Sequence, residues 1–281
     1  MNISVVVPFH NSEAWVEACI RALLNQTYSE GRCEYIFVDN GSTDGSAAIV
    51  RRYPAVRLLS EAKRGSYAAR NRGLQVASGE IIAFTDSDCA PRSDWLEQIA
   101  RSMRDPGVEI VLGRREFPAG SRAMQLLADY DAEKVRHIFA GCPREQYYGY
   151  TNNMAVRKSL VDAMGPFLEI HRGGDTVFVK QAVNRYERGI LRYAPDVRVV
   201  HLEMTSVGKW YQKMLTYGRS HQNYRRIVAS RSLSIQQRLE IFRRVAATNK
   251  LSVLDRAKLS LILAAGMVHW FTGRLTGMLE S

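Results

Sequence analysis

The sequence predicts an α/β fold, in which a Rossmann-like, mainly parallel β-sheet is flanked by helices and followed by a helical C-terminal extension. Short β-branched apolar runs alternate with segments of helical periodicity, which is the pattern of parallel strands joined by crossover helices. Polar turn formers follow several of these runs directly. From Gly208 onward the pattern is helical throughout.

The first part of the chain gives the clearest alternation. Residues 3–7 form a β-branched run that we expect to be a buried strand ended by Pro8. Further strands are expected at 35–38, 56–59 and 81–84, and helices at 12–25, 46–53 and 66–77. Because ligands bind outside the carboxyl ends of strands in such sheets, the residues that follow each strand are the candidates for a site.

Composition excludes several classes of protein. The chain has 281 residues, of which 46% are hydrophobic, so a large core is expected and wholesale disorder is not. The four cysteines (Cys19, Cys33, Cys89 and Cys142) are far apart, which argues against a disulfide framework and against a structural zinc site. The N-terminus has no basic segment followed by an apolar core, and we therefore expect a cytoplasmic protein.

The charge is distributed unevenly along the chain. Residues 205–281 carry 13 Lys+Arg and 3 Asp+Glu, a balance of +10, whereas residues 1–204 carry 26 and 25, a balance of +1. We therefore divide the chain into a catalytic domain, 1–204, and a basic helical extension, 205–281. A basic extension can bind nucleic acid, anionic lipid headgroups or a phosphorylated substrate.

Two carboxylates follow the strand expected at 81–84. Asp86 and Asp88 are one residue apart, so they point to the same side if the extended backbone continues. A hard divalent cation such as Mg²⁺ or Mn²⁺ would offset their mutual repulsion and prefers oxygen ligands. The alternative is a solvated Asp-Ser-Asp turn, which the tripeptide alone favours.

The ends of two other expected strands would lie at the same edge of the sheet as Asp86 and Asp88. The turn Pro8–Asn11 follows the first strand and Asp39 follows the second. The chain has no Gly-x-Gly-x-x-Gly after its first strand and no Walker A sequence. These absences disfavour a dinucleotide dehydrogenase and exclude a Walker-type NTPase.

Four segments together resemble the family 2 glycosyltransferases across roughly the first 120 residues. They are Val-Val-Val-Pro-Phe-His-Asn at 5–11, Val-Asp-Asn-Gly-Ser-Thr-Asp-Gly at 38–45, Ala-Arg-Asn-Arg-Gly at 69–73 and Asp-Ser-Asp at 86–88. The resemblance implies a type-A glycosyltransferase (GT-A) fold, a nucleotide-diphospho-sugar donor, and Mn²⁺ or Mg²⁺ as the cofactor.

The same resemblance implies roles for individual residues. Asp39 would contact the nucleobase, Arg70 the base or diphosphate, Asp86 the ribose and metal, and Asp88 the metal. The nucleotide pocket would be lined by Pro8, Phe9, His10 and Asn11. For Arg70 the alternative is an ordinary surface arginine on a helix.

Two residues in the second half complete the expected site. The resemblance makes Asp175 the general base, although the family usually has an acidic pair where this chain has Gly174-Asp175. The alternative for Asp175 is an N-cap, since helical spacing follows it, and a helix N-terminus favours the ionised carboxylate. By the same resemblance His201 is a further metal ligand; the alternative is a satisfied polar residue.

These observations predict a metal-dependent, inverting glycosyltransferase that uses a nucleotide sugar, with UDP-sugars favoured. The acceptor would be a carbohydrate or a lipid-linked molecule in surface polysaccharide or glycolipid synthesis. Gln222 with Arg225 or Arg226 matches only part of a family signature for processive enzymes, without its Trp. One alternative is a nucleotide-sugar-binding protein without transferase activity. A nucleic-acid binder ranks below both, because the basic helices lack sheet-borne aromatics.

The apolar segment 259–271 lies among the basic residues of the extension. It is shorter than the roughly 20 residues that a spanning helix needs. An apolar helix beside basic residues is typical of proteins that rest on an anionic membrane surface, and we expect attachment to the inner face of the membrane. The alternative is a helix that packs on the catalytic domain or forms a dimer contact. The sequence leaves the oligomeric state open.

Overall fold

One eight-stranded mixed sheet forms the centre of the molecule in the computed structural model, which describes residues 1–279. The strands are β1 Ile3–Phe9, β2 Cys33–Asp39, β3 Val56–Ser60, β4 Ile81–Thr85, β5 Cys89–Pro91, β6 Ile110–Glu116, β7 Asn153–Arg157 and β8 Leu191–His201. The helices are α1 Val16–Leu24, α2 Ser46–Arg51, α3 Ser66–Leu74, α4 Trp95–Ser102, α5 Arg122–Gly141, α6 Lys158–Met164, α7 Gly174–Tyr186, α8 Val207–Arg225, α9 Ile235–Thr248 and α10 Val253–Leu279.

The strand order is β3-β2-β1-β4-β7-β6-β8-β5. Strands β1 to β4 are parallel, and β6 is parallel to β8. Strand β7 lies between β4 and β6 and is antiparallel to both, so β6 and β8 run in the same direction as β4. The carboxyl ends of β2, β4 and β8 and the amino end of β7 therefore lie at one edge of the sheet.

The fold class predicted from the sequence is confirmed, with three local differences. Strand β1 does not end at Pro8, which pairs with Val38 inside the strand. The three-residue strand β5, which pairs antiparallel with β8, was not predicted. The sequence pattern of residues 191–196 and 197–202 predicts two short strands, whereas the structure has one continuous strand, β8, which bends where its pairing with β6 shifts register.

Both faces of the sheet are covered by apolar cores. The alternating side chains of β1 illustrate this, because Val5 and Val7 belong to one core and Val6 to the other. Helices α1 and α4 supply the first core, and α3 and α7 supply the second. This two-sided burial explains why the strands are continuous apolar runs in the sequence.

A third core joins the C-terminal helices to the rest of the chain. Leu126 and Leu127 of α5 pack with Ile241 of α9 and with Leu259 and Ile262 of α10. The boundary between residues 204 and 205 stays a prediction, and the helices beyond it share this core with α5. Among the described residues, none of the helices combines the length and apolar character needed to cross a bilayer.

Helices α8 and α10 touch through their main chains. A Cβ atom on Gly273 of α10 would lie 2.0 Å from the carbonyl oxygen of Leu215, and one on Gly218 of α8 would lie 2.1 Å from that of Trp270. Glycine is therefore required at both positions by the neighbouring backbone.

We predict that Gly273→Ala lowers the free energy of unfolding, although alanine normally favours a helix by about 1 kcal/mol over glycine. The added methyl group must push α8 and α10 apart, and overpacking of this kind costs about 1–3 kcal/mol. The control is Gly141→Ala at the end of α5, where a Cβ meets nothing within 4 Å. Urea denaturation measures both variants; equal or higher stability of Gly273→Ala would contradict the tight contact.

Candidate active site

The site is built around the edge of the sheet where β4 ends and β7 begins. Thr85, the last residue of β4, donates from Oγ1 to the carbonyl oxygen of Asn152 at 3.1 Å. Asp86 follows Thr85, and Asn152 precedes β7. The two strands thus place the predicted donor-binding segment beside the segment that leads to Asp175.

Asp86 is paired with Arg70. The Arg70 guanidinium donates from Nη2 to Oδ1 of Asp86 and from Nη1 to the carbonyl oxygen of Ser66 at 3.1 Å. Arg70 is only 4% exposed, which excludes the surface-arginine alternative. Its Nε atom is buried without a partner among the described residues, so one donor remains for a ligand.

Asp88 is paired with His201. Nε2 of His201, at the end of β8, lies 3.0 Å from Oδ2 of Asp88, because Cys89 and His201 are register partners in the β5–β8 pair. Burial would raise the pKa of Asp88, but the hydrogen bond and charge of His201 and the charge of Lys213 hold this pKa below its ordinary value. Asp88 is therefore a carboxylate at neutral pH.

Three possible metal-ligand atoms, one each from Asp88, Cys89 and His201, lie within 4.8 Å of one another. Burial raises the pKa of the Cys89 thiol well above its ordinary value, and the neighbouring carboxylates add to this shift. A protonated thiol is a poor ligand for a hard cation, so Asp88 and His201 are the members suited to Mn²⁺. Asp86 is not part of this group, and its role as a ligand stays a prediction.

The loops after β1 and β2 are tied together. Asn11 adopts a left-handed conformation with φ +49°, and its Oδ1 accepts from the Thr43 amide at 2.8 Å. Asp39 accepts from the Ser42 amide at 2.9 Å. These contacts bring two of the predicted nucleotide-binding segments together at the carboxyl edge.

The residues predicted to line the nucleotide pocket differ in exposure. Pro8 and Phe9 are buried in β1, and the Phe9 ring packs against Phe37 with centroids 6.4 Å apart. The Phe9 ring therefore belongs to the core, which corrects its expected place in the pocket lining. His10 is exposed, and its Nε2 lies 3.1 Å from Nη1 of Arg64.

Asp175 is the second residue of α7 and Gly173 holds the N-cap position, so the N-cap alternative is wrong. Its carboxylate accepts from the amides of Thr176 at 2.8 Å and Thr151 at 3.2 Å. Burial raises the pKa of Asp175 above its ordinary value, although the Tyr67 hydroxyl, the charge of Arg70 and these amides oppose the shift. From the sequence we expected the helix N-terminus to favour the ionised carboxylate. In the structure, desolvation raises the pKa of Asp175 by more than its contacts lower it.

Helix α8 runs along the site from the metal group to Asp175. Near its start, Lys213 bonds Glu203 at 2.9 Å and its charge acts on Asp88. About three turns later, Tyr224 lies against Gly173, where a Cβ would meet the Tyr224 ring at 2.4 Å. The extension thus contributes side chains to both ends of the site.

Sequence reasoning missed Tyr67, Asn152, Lys213 and Tyr224. Tyr67 could have been found, because it precedes Arg70 by three residues and therefore shares a face of α3. Asn152 Oδ1 is buried without a partner among the described residues, and it lies next to Thr151. Lys213 and Tyr224 depend on where α8 packs, which no local pattern encodes.

Comparison with known proteins identifies the family. The sequence model of glycosyl transferase family 2 matches residues 4–160. The chain belongs to glycosyl transferase family 2. Among relatives of this family 2 chain, glycosyltransferase AglE of Haloferax volcanii is 33% identical over 190 residues, 65% of this chain and 61% of that protein. The putative glycosyltransferase EpsH of Bacillus subtilis is 28% identical over 57% of this chain and 48% of its own length. The matches thus span less than two thirds of these relatives.

Solved structures show the same fold as this family 2 chain. The mannosyltransferase PcManGT from Pyrobaculum calidifontis, in complex with GDP-Man and Mn²⁺, has a TM-score of 0.66 at 19% identity, over 99% of this chain and 87% of that one. Glucosyl-3-phosphoglycerate synthase from Mycobacterium tuberculosis, with Mn²⁺, UDP-glucose and phosphoglyceric acid, has a TM-score of 0.52 at 20% identity, over 71% of each chain. These likenesses support the GT-A fold.

Proposed function

We propose that this chain is a metal-dependent glycosyltransferase that transfers a sugar, with inversion, from a nucleotide-diphospho-sugar to an acceptor hydroxyl. The observation that carries the proposal is that one edge of the sheet holds both the Asp88–His201 pair and the carboxylate of Asp175. Family 2 membership supports the reaction class. UDP-sugars are favoured as donors through the likeness of the Asp39 segment, and the comparison structures contain UDP-glucose or GDP-mannose.

The donor side would use the strand ends described above. Asp39 would contact the nucleobase, with His10 and Asn11 beside it, and Arg70 would use its unpartnered Nε toward the ribose or diphosphate. Asp88 and His201 would hold Mn²⁺, because an imidazole ligand suits Mn²⁺ better than Mg²⁺. The bound ion would neutralise charge on the diphosphate.

The acceptor side would use Asp175 as the general base. Its carboxylate takes the proton of the acceptor hydroxyl as that oxygen bonds to the anomeric carbon. The bond from that carbon to the diphosphate oxygen breaks, and the nucleoside diphosphate leaves with the electron pair. Burial raises the pKa of Asp175, and a higher pKa makes a stronger base as long as the group stays ionised.

The acceptor would be a carbohydrate or lipid-linked hydroxyl compound of surface polysaccharide or glycolipid synthesis. It would enter beside Tyr224 and Asn152, which border Asp175 from α8 and from the segment before β7. The buried Oδ1 atom of Asn152, which has no partner among the described residues, could accept a hydrogen bond from a hydroxyl group.

Asp175→Asn should lower kcat by about 10²–10⁴-fold while leaving donor affinity unchanged, since the amide cannot accept the proton. Release of nucleoside diphosphate from UDP-glucose, UDP-galactose and GDP-mannose, with Mn²⁺ and an extract-derived acceptor, measures turnover. The control is Asp162→Asn, which removes an exposed carboxylate that pairs with Lys158 at 2.8 Å. Donor binding without any turnover in the unmodified protein would favour the binding-protein alternative.

Asp88→Ala should abolish Mn²⁺-dependent donor binding, and Cys89→Ser should not. Loss of a ligand should cost more than the roughly 10–100-fold that loss of an outer partner costs. Titration calorimetry with UDP in the presence and absence of Mn²⁺ measures the effect. Equal affinity of Asp88→Ala and the unmodified protein in both conditions would remove Asp88 from the site.

We also propose that the chain is a cytoplasmic protein that rests on the inner, anionic face of the membrane. The supporting feature is an apolar stripe on α10, formed by Leu254, Leu261, Val268 and Leu275, which are 75%, 72%, 64% and 63% exposed. The opposite face of α10 is buried against α5 and α8. Exposed Arg256 and Lys258 flank the stripe, and each basic residue near an anionic surface contributes about 1 kcal/mol.

The protein should pellet with vesicles of phosphatidylglycerol and phosphatidylcholine at low salt, less at high salt, and not with phosphatidylcholine alone. Leu261→Ser combined with Val268→Ser should abolish pelleting. Ile235→Ser combined with Leu239→Ser is the control, because these exposed residues lie on α9. Equal pelleting with both vesicle types would contradict the proposal. If the protein is instead a dimer in solution and Leu261→Ser with Val268→Ser makes it a monomer, the stripe is a contact between two copies of the chain.

A further inference from the structure

Tyr67 lies beside Asp175 and has no part in the mechanism described so far. It is the second residue of α3 and is 5% exposed. The Gly173 amide donates to the Tyr67 hydroxyl oxygen at 3.2 Å. The Tyr67 hydroxyl also acts on Asp175, two residues further along, and lowers the pKa of its carboxyl group. Since its oxygen already accepts from Gly173, the phenol is oriented to donate its own proton to the carboxylate.

Tyr67 also restricts which residue can occupy position 174, directly before Asp175. A Cβ on Gly174 would lie 3.1 Å from the Tyr67 ring and 2.5 Å from the carbonyl oxygen of Leu168. No side chain fits at position 174 without moving α3 or the 168 backbone. The side chain that lies beside Asp175 at this point is therefore supplied by α3 and not by residue 174 of α7.

Tyr67 is itself held in place from two sides. Its ring packs against Phe167 with centroids 5.9 Å apart, and the Arg70 guanidinium lies 5.4 Å from its centroid. Arg70 is the same residue that pairs with Asp86. Tyr67 and Arg70, on one face of α3, thus lie between Asp175 of α7 and Asp86 after β4.

We propose that Tyr67 is the positioning residue of the base: its hydroxyl donates to the Asp175 carboxylate, fixes its orientation and stabilises its charged form. The inference rests on the proposed function. It goes beyond that function by assigning a proton-holding partner to Asp175. A hydrogen bond to the charged form lowers the pKa of a carboxyl group, so the bond keeps a buried base ionised.

The charged and titratable groups around Asp175 are consistent with this role. Arg70 acts on it from α3 and Tyr224 faces it from α8. Burial raises the pKa of Tyr67 well above its ordinary value, and the charge of Asp175 adds to the shift. The phenol therefore remains protonated throughout the neutral range and keeps a proton that it can donate to the carboxylate.

The direct test is the titration of Asp175 by carboxyl ¹³C NMR in the full chain labelled at aspartate, with the resonance assigned by Asp175→Asn. Tyr67→Phe keeps the ring and removes the hydroxyl, so the pKa of Asp175 should rise by about one unit. The control is Tyr53→Phe, which removes a hydroxyl bonded to Glu17 at 2.7 Å. An unchanged Asp175 titration in Tyr67→Phe would overturn the inference.

A kinetic test separates positioning from packing. The acid limb of the kcat/KM profile should move to higher pH in Tyr67→Phe, with donor KM unchanged. A monofluorinated tyrosine at position 67 keeps the shape and donates more strongly, so it should move the limb to lower pH. Shifts in the same direction for both variants would overturn the inference. Absence of turnover in the unmodified protein would instead refute the proposed function, and the NMR titration would still decide the hydrogen bond.

Discussion

The site depends on the reversed strand in the middle of the sheet. Strand β7 is antiparallel to β4 and β6, so its amino end meets the carboxyl ends of β2, β4 and β8. This reversal brings Asn152 and Thr151 next to the segment that holds Asp86. Thr151 then fixes Asp175 through its amide. If β7 ran parallel, its amino end and the segment before it would lie at the opposite edge.

Collecting carboxylates at one edge has an electrostatic cost, which the structure offsets locally. Asp86 is paired with Arg70, and Asp88 is paired with His201 and lies in the field of Lys213. Among the described residues, no cation is in direct contact with Asp175, whose carboxylate accepts from two amides and whose pKa is lowered by the Tyr67 hydroxyl. Positive charge thus lies beside both the Asp86 and Asp88 carboxylates, and for Asp88 it lowers the pKa. Burial leaves Asp175 with a raised pKa, which suits a group that must accept a proton.

The sequence allowed the sheet, its carboxyl edge and most of the site to be predicted, because strand pattern and turn chemistry are local. Asp39, Asp86, Asp88 and His201 lie at or next to strand ends, whereas Arg70 lies within α3 and was singled out by the family resemblance. Three features depended on tertiary packing and were not predictable. The ring of Phe9 turned into the core because β1 continues past Pro8. Burial dominated the pKa of Asp175. Helix α8 supplied Lys213 and Tyr224 from a part of the chain assigned to a separate extension.

The glycine contacts between α8 and α10 make the two helices mechanically one body. Leu215 and Gly273 touch through main-chain atoms, so no side-chain rotamer can absorb a displacement between them. Helix α8 carries Lys213 and Tyr224 at the two ends of the site, and α10 carries the outward apolar stripe. The stripe and these two side chains are therefore joined through backbone contacts between α8 and α10. If the stripe binds a membrane surface and a ligand of the site changes that affinity, thermodynamic reciprocity requires the surface to change the affinity for the ligand by the same factor.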